Sequence, residues 1–136
     1  MMKTSSQTAF VPMLIIPHGT MDLDFYKNGF GAIEINRVTN DDGSIHVSEM
    51  TIEAALFHFH EEVDLSGTFG PEKYNGVTTI IGLMVADVDR VINRAIEAGA
   101  LVTSPAQDYD YGYRQGEIVD PLGHHWLIEM VIPTTI

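Results

Sequence analysis

The sequence contains no cysteine, which excludes disulfide bonds and thiolate metal ligands. Any metal would have to be bound by imidazole, carboxylate or water. Cationic side chains are also scarce, because seven lysines and arginines face 19 aspartates and glutamates and the net charge is −12. Such a chain is repelled by phosphate backbones and by anionic lipid surfaces. We therefore expect neither nucleic acid nor a membrane as a partner.

A long apolar run is missing as well. The apolar segment 10–16 is interrupted by Pro12 and stopped by Pro17, so it is too short for a signal peptide or a membrane span. With 136 residues and 45% apolar content, the chain has the size of one domain with its own core. We expect a single domain over residues 1–136 and take the cytoplasm as the default compartment.

The same order of elements occurs twice along the chain. Module one, about residues 10–61, reads as a strand over 10–16, a helix over 21–30 capped by Thr20, and strands over 32–38, 45–52 and 54–61. A polar connector follows over 62–76. Module two, about 77–132, reads as a strand over 77–85, a helix from Asp87 to Gly99, and strands over 100–103, 114–119 and 124–132. Each half is therefore predicted to be a βαβββ unit.

The turn Asp120-Pro121-Leu122-Gly123 organises the end of the chain. Asp accepts backbone N–H groups at the first position of a type I turn, Pro presets φ at the second, and Gly closes the fourth. The strand after it alternates so that His125, Leu127 and Glu129 share one face and Trp126 lies on the other. A carboxylate beside an apolar wall suggests the edge of a pocket.

Several short motifs in this order are similar to a known family: Asp24-Phe25-Tyr26, Phe30-Gly31-Ala32, Val85-Ala86-Asp87-Val88-Asp89, Ala98-Gly99-Ala100 and the segment 120–126. Together they resemble the vicinal oxygen chelate superfamily of glyoxalases, bleomycin and fosfomycin resistance proteins and extradiol dioxygenases. Segment 111–116 resembles a loop of its PhnB-like, glyoxalase-like branch. The resemblance implies an α+β fold of two βαβββ modules related by pseudo-two-fold symmetry, with cupped mixed sheets that enclose a cavity, and a homodimer, side by side or with exchanged modules.

The resemblance also implies four metal-ligand positions, which fall near Val11, on Phe57 or His58, on Thr79 or Ile80, and on Leu127. Only His58 among them can bind a metal. Alternation along 54–61 places His58 and His60 on one face, and Glu129 could complete a set of two histidines and one carboxylate. One divalent ion, Zn, Ni, Fe or Mn, would suit this set. The alternative is that these are polar residues at strand ends.

Arg114 follows three tyrosines and has two interpretations. With Tyr111 it could clamp a carboxylate or enolate of an apolar ligand, or it could pair with Asp108, Asp110 or Asp120 to stiffen the loop. His125 could lie in the pocket or at its rim. The expected apolar wall of the ligand pocket consists of Met13, Ile80, Gly82, Met84 and Leu127.

Two functional hypotheses follow from the resemblance and these residues. The first is a glyoxalase-like protein that binds a small, partly apolar metabolite and carries out metal-assisted lyase, isomerase or dioxygenase chemistry. In that chemistry Glu129 or His58 would move a proton. The alternative is a metal-free protein that sequesters a drug or metabolite, as bleomycin resistance proteins do.

Overall fold

The computed structural model describes residues 7–134. The helices are α1 (Asp24–Phe30), α2 (Pro71–Tyr74) and α3 (Val88–Ala98), with a 3₁₀ turn at Asp64–Ser66. The strands are β1 (Met13–Ile16), β2 (Ile33–Thr39), β3 (Ile45–Ile52), β4 (Ala55–Glu61), β5 (Ile80–Met84), β6 (Leu101–Asp108), β7 (Tyr113–Val119) and β8 (His125–Val131). None of the described helices is long and apolar enough to cross a membrane.

The strands form two four-stranded mixed sheets, one for each module. Sheet one has the order β1-β4-β3-β2 and sheet two the order β5-β8-β7-β6. In each sheet the first strand of the module pairs in parallel with the last, and the other pairs are antiparallel. Two similar βαβββ modules of an α+β fold are confirmed.

The two principal helices begin differently from one another. Asp87 caps α3 as predicted, because its carboxylate accepts a hydrogen bond from the Arg90 backbone N–H at 3.1 Å. Helix α1 begins at Asp24 and not at Met21, and Leu23 at its N-cap provides no side-chain hydrogen bond. The predicted Thr20 cap is wrong, since the Thr20 hydroxyl donates to the Pro17 carbonyl at 2.7 Å.

Strand β6 is longer than the predicted segment 100–103 and continues to Asp108. Its pairing with β7 is interrupted by shifts of register, which let a strand containing Pro105 stay at the edge of the sheet. The segment between the predicted strands 100–103 and 114–119 therefore shrinks to a tight turn between β6 and β7. This turn brings the rings of Tyr109, Tyr111 and Tyr113 close together.

One core serves both modules. The Trp126 ring of sheet two lies 4.7 Å from Phe30 of α1 and 5.9 Å from Phe57 of sheet one, measured between centroids. Helices α1 and α3 also pack against each other. The helix-bearing sides of the two sheets therefore share a core, and the opposite side of each sheet, which we call its open face, lies outside that core.

A buried carboxylate joins the modules within this core. Asp120 is 3% exposed, and its Oδ2 accepts hydrogen bonds from the Tyr26 hydroxyl at 2.6 Å and the Trp126 indole N–H at 2.9 Å. Its Oδ1 accepts the backbone N–H groups of Leu122 and His124. The turn interpretation is confirmed, and the same residue additionally ties α1 to sheet two.

Candidate functional site

The open face of module one combines apolar side chains with imidazoles and one carboxylate. The strand register places Met13, Ile15, Asn36, Val47, Glu49, Leu56, His58 and His60 on this face. Across it, Ser48, Phe57 and Phe59 point into the core, as their burial shows. His58 and His60 therefore share a face, as the strand alternation predicts.

Glu49 lies directly opposite His58 in the β3–β4 ladder. Its side chain is only 9% exposed, its Oε2 is 3.4 Å from the His58 Nε2, and its Oε1 accepts a hydrogen bond from the Asn36 amide at 3.2 Å. The His58 Nε2 is buried without a hydrogen-bond partner among the described residues. Sequence reasoning missed Glu49, although a carboxylate in the middle of a predicted strand is an available signal.

His60 lies at the rim of the same face. Its Nδ1 is 2.6 Å from the Glu61 carbonyl, and its ring is 5.0 Å from the ring of His46. The His46 Nδ1 in turn lies 3.2 Å from the Glu61 Oε1. His60 is thus engaged with its neighbours at the end of the strand, whereas His58 lies closer to the middle of the sheet.

The open face of module two presents Glu129 in a fixed orientation. The Gln115 amide donates to its Oε1 at 2.8 Å, and the Tyr111 hydroxyl donates to the Gln115 Oε1. Partial desolvation, together with the neighbouring Tyr109, Glu129 and Asp110, raises the pKa of the Tyr111 hydroxyl. Glu129 is therefore held as a hydrogen-bond acceptor at the centre of this face.

The Oε2 of Glu129 projects towards Gly82 on the neighbouring strand β5. A Cβ at Gly82 would lie 3.0 Å from this oxygen, closer than ordinary side-chain contacts. On either side of Gly82, Ile80 and Met84 share its face and are 51% and 55% exposed. The structure thus leaves a small recess beside a carboxylate, flanked by apolar side chains.

His125 and Leu127 lie on the same face as Glu129, as predicted. The His125 Nδ1 is 3.4 Å from the Glu117 Oε2, so this histidine is paired at the end of β8. Leu127 is half-buried opposite Glu117 in the β7–β8 ladder. Both residues can contact a ligand that lies on the open face of module two.

Arg114 lies on the other side of sheet two. Its guanidinium binds both carboxylate oxygens of Asp89 on α3 at 2.9 Å and one oxygen of Asp108 at 3.0 Å. These contacts raise the pKa of Arg114 above its ordinary value. The structure therefore favours the loop-stiffening interpretation with Asp108, adds Asp89 to it, and separates Arg114 from Tyr111 and the open face.

A single chain does not assemble the predicted metal set. Over residues 7–134, no group of three or more histidine, aspartate or glutamate side chains is close enough to hold a metal ion. His58 and His60 belong to sheet one, Glu129 belongs to sheet two, and the sheets meet through their core sides. The individual donors nevertheless suit a metal, since the His58 Nε2 makes no hydrogen bond among the described residues, although it lies 3.4 Å from the Glu49 Oε2, and the Glu129 Oε2 faces the recess at Gly82.

A cleft of about 760 Å³ separates β1 from the connector and the start of module two. It is lined by residues 12–15, by Phe69, Pro71 and residues 74–79, and by Ile81 and His124. The His124 Nε2 lies 2.8 Å from the Ile15 carbonyl and so joins this turn to the free edge of β1. Met13 is the one predicted ligand-binding residue that borders this cleft.

Comparison with known proteins identifies relatives over most of the chain. The family model for the Glyoxalase/Bleomycin resistance protein/Dioxygenase superfamily matches residues 13–128. Uncharacterised proteins of Mycobacterium bovis and Mycobacterium tuberculosis are 32% identical over 128 residues, which are 92% of this chain and 84% and 75% of those proteins.

Solved structures share the fold. A gene product of Arabidopsis thaliana is 24% identical with a TM-score of 0.67, and the match covers 90% of this chain and 98% of that one. TioX from Micromonospora is 21% identical with a TM-score of 0.65, over 95% and 100% of the two chains. The fosfomycin resistance protein FosX from Listeria monocytogenes, solved with Mn(II) and a dihydroxypropylphosphonic acid, is 19% identical with a TM-score of 0.61, over 96% and 93%.

Proposed function

Because the chain belongs to the glyoxalase/bleomycin resistance protein/dioxygenase superfamily, we propose that it binds a small, partly apolar metabolite on the open faces of its sheets. The observation that carries this proposal is the open face of module two. There a carboxylate is held in one orientation beside exposed Ile80 and Met84. An apolar surface with a few directed polar groups is typical of small-molecule sites.

We further propose that a second copy of the chain completes the site. Exposed apolar side chains occur on both open faces, among them Met13 and Ile33 of module one and Ile80, Met84 and Leu101 of module two. Apolar surface of this kind marks an interaction site. A homodimer with exchanged modules would place the open face of module one from one copy over the open face of module two from the other.

A metal-assisted enzyme is the second candidate, favoured by the His58 Nε2, which lies 3.4 Å from the Glu49 Oε2 and makes no hydrogen bond among the described residues. His58 and His60 of one copy and Glu129 of the other would hold the ion. Two imidazoles and one carboxylate can bind a divalent ion such as the Mn(II) found with FosX. A bound divalent ion would polarise adjacent oxygens of a substrate. In this chemistry Glu129 or His58 would transfer the proton, and the apolar residues around Gly82 would exclude water.

The assembly is tested by light scattering of the untagged chain. We expect a dimer of about 30 kDa, twice the 15.0 kDa chain mass. Ile80→Glu places a charge on the open face of module two and should yield monomers. Ile96→Glu, at an exposed apolar position of α3, is the matched control and should remain dimeric. A wild-type particle of 15 kDa would contradict the proposed dimer.

The exchanged arrangement is tested by mixing two defective variants, His58→Ala and Glu129→Gln. If each site takes His58 from one copy and Glu129 from the other, unfolding and refolding an equal mixture restores about a quarter of the sites, because half of the dimers are mixed and each carries one intact site. If both residues came from one chain, no site would be restored. Elemental analysis with and without chelator, together with calorimetric ligand binding, measures the recovery.

A stoichiometric metal that is lost in the His58→Ala/His60→Ala variant would support the enzyme. Equal and negligible metal in both proteins would leave the metal-free binder. Thermal-shift screening of apolar metabolites should then raise the unfolding temperature of the wild type. The same compounds should have a smaller effect on Ile80→Glu, and an equal effect would contradict binding at the open face.

A further inference from the structure

We infer that the open face of module two selects a ligand in which a protonated amine is attached to an apolar or aromatic body. The inference names the ligand class of the proposed function and rests on it, since it requires a small molecule at this face. It is carried by the direction of the hydrogen bonds at Glu129, by the recess at Gly82 and by the placement of every described lysine and arginine.

The direction of the hydrogen bonds determines what Glu129 can offer. The Tyr111 hydroxyl can only satisfy the Gln115 Oε1 by donating to it. The Gln115 nitrogen therefore points at Glu129 and donates to the Oε1. Glu129 thus acts as an acceptor, and its second oxygen remains to accept a further hydrogen bond at the recess. A donor group on the ligand suits this oxygen, and an acceptor does not.

The surroundings of this oxygen suit an amine on an apolar body. Gly82 leaves room beside the Oε2 for a compact group, while Ile80 and Met84 flank the recess. Tyr111 is 59% exposed, and its ring is stacked on Tyr109 with 5.2 Å between the centroids. Exposed tyrosine faces attract both aromatic rings and organic cations.

An anionic ligand would find no fixed positive charge here. The six lysines and arginines of residues 7–134 lie on helices, on the connector or on the helix-bearing sides of the sheets: Lys27, Arg37, Lys73, Arg90, Arg94 and Arg114. Arg114, the expected carboxylate clamp, binds Asp89 and Asp108 on the far side of β7. The net charge of −12 adds a long-range attraction for cations.

Three indole compounds with one ring system and different charge test the inference. Tryptamine is a cation at pH 7, tryptophol is neutral and indole-3-propionate is an anion. We would titrate each into the chelator-treated full chain and follow the backbone amide signals of Gly82, Gln115 and Leu127 by NMR. Tryptamine should bind about tenfold more tightly than tryptophol, because a charge-assisted hydrogen bond is about twice as strong as a neutral one. Indole-3-propionate should bind most weakly.

Glu129→Gln keeps the shape of the side chain and removes its charge, so the tenfold preference for tryptamine over tryptophol should be largely lost. Glu97→Gln on α3 changes the net charge by the same amount at an exposed position and should preserve the tenfold preference. Urea unfolding of both variants checks that they fold.

Equal binding of tryptamine and tryptophol by the wild type, or tightest binding of indole-3-propionate, would overturn the inference. The proposed function would survive that result, because the compounds would still bind at the open face. Signal changes remote from Gly82, Gln115 and Leu127, or none with any compound, would also overturn the inference. The dimer and mixing experiments then decide the proposed function independently.

Discussion

The two modules share one order of strands and helices but carry different chemistry on their open faces. Module one presents the imidazole of His58 beside the buried Glu49, whereas module two presents Glu129 held by Gln115 above a glycine. The core faces of both modules, in contrast, are mainly apolar, with Asp120 as a hydrogen-bonded carboxylate between them. Core positions are restricted by packing, while open-face positions are free to diverge after a duplication and to acquire separate roles.

The hairpins that precede the last strand of each module differ in the same way. In module two the turn begins with Asp120, which also binds Tyr26 and Trp126 across the modules. In module one the turn contains Glu53 in a left-handed conformation with φ of 53°. One turn thus holds the two modules together, and the other only reverses the chain.

The largest effect is expected at Asp120. Asp120→Ala leaves the Tyr26 hydroxyl and the Trp126 N–H without acceptors in the core, which should cost about 3 kcal/mol or more of unfolding free energy. Asp42→Ala is the matched control, because Asp42 accepts its hydrogen bonds from Ser44 in a turn of module one and hydrogen-bonds to neither α1 nor sheet two among residues 7–134. The loss from Asp42→Ala should be clearly smaller, because water can replace the hydrogen bonds of an exposed carboxylate. Urea denaturation measures both, and equal losses would contradict the anchoring role of Asp120.

A comparison of two glycines in sheet two comes next. A Cβ at Gly116 would lie 2.5 Å from the Ile92 Cδ1 and 3.1 Å from the Ala106 backbone nitrogen. Gly116→Ala should therefore lower the unfolding free energy by about 1–3 kcal/mol. At Gly82 a Cβ would meet only the Glu129 Oε2, at the end of a partly exposed side chain, so Gly82→Ala should change stability by less than about 0.5 kcal/mol. It should instead weaken ligand binding at the recess. A large stability loss from Gly82→Ala would contradict the assignment of Gly116 to packing and Gly82 to ligand binding.

A substitution in the β3–β4 turn of module one should make the protein more stable. Glu53 has a side chain at positive φ, where the Cβ of an L-residue is strained. Glu53→Gly removes this strain and should raise the unfolding free energy by up to about 1 kcal/mol. Replacing Asn75, the other described non-glycine residue with positive φ, by glycine should have a smaller effect, since asparagine tolerates this conformation. A destabilised Glu53→Gly variant in urea denaturation would show that the Glu53 side chain has a role of its own.

The smallest effects concern pH. Burial raises the pKa of Glu34, but hydrogen bonds from Arg37, Ser48 and Lys27 outweigh it, so the pKa in the folded state is lowered. Glu34 therefore stabilises the fold above the unfolded value of about 4.3, and this contribution is lost as the pH falls through the lower folded value. Glu34→Gln should make the urea midpoint less dependent on pH between 7 and 3.

In module two, Asp89 offers the corresponding test. Hydrogen bonds from Arg114 lower the pKa of Asp89 in the folded state. Like Glu34, Asp89 therefore stabilises the fold at neutral pH and loses this contribution as the pH falls. The Asp89 side chain is more exposed than that of Glu34, so solvent screening reduces its contribution. Asp89→Asn should change the pH dependence less than Glu34→Gln, and the reverse order would contradict this difference between the modules.

Most of the fold could be predicted from local patterns. The alternation around Trp126, the Asp120 turn and the Asp87 cap concern residues close in sequence, and the structure confirms all three. The Thr20 cap failed because a serine or threonine can hydrogen-bond to a nearby carbonyl as readily as it can cap a helix. The length of β6 was missed because irregular pairing at a sheet edge has no simple period.

The candidate site was less accessible to sequence reasoning. His58, His125, Leu127 and Glu129 were assigned to faces correctly, since a strand alternates with a period of two. The partner of each polar group could not be assigned, because register across strands determines it. Glu49 meets His58 and Gln115 meets Glu129 only through that register.

The sequence by itself determined the order of elements within each module, the similarity of the two modules and the faces of β4 and β8, because these depend on periodicity and turn chemistry along the chain. The short helix α2 in the predicted polar connector was missed. Only the tertiary structure decided that the modules meet through their core sides, that Arg114 binds Asp89 on α3, and that one chain does not assemble His58, His60 and Glu129. These outcomes depend on contacts between residues far apart in sequence. Such contacts follow from how two apolar sheet faces and two helices pack into one core.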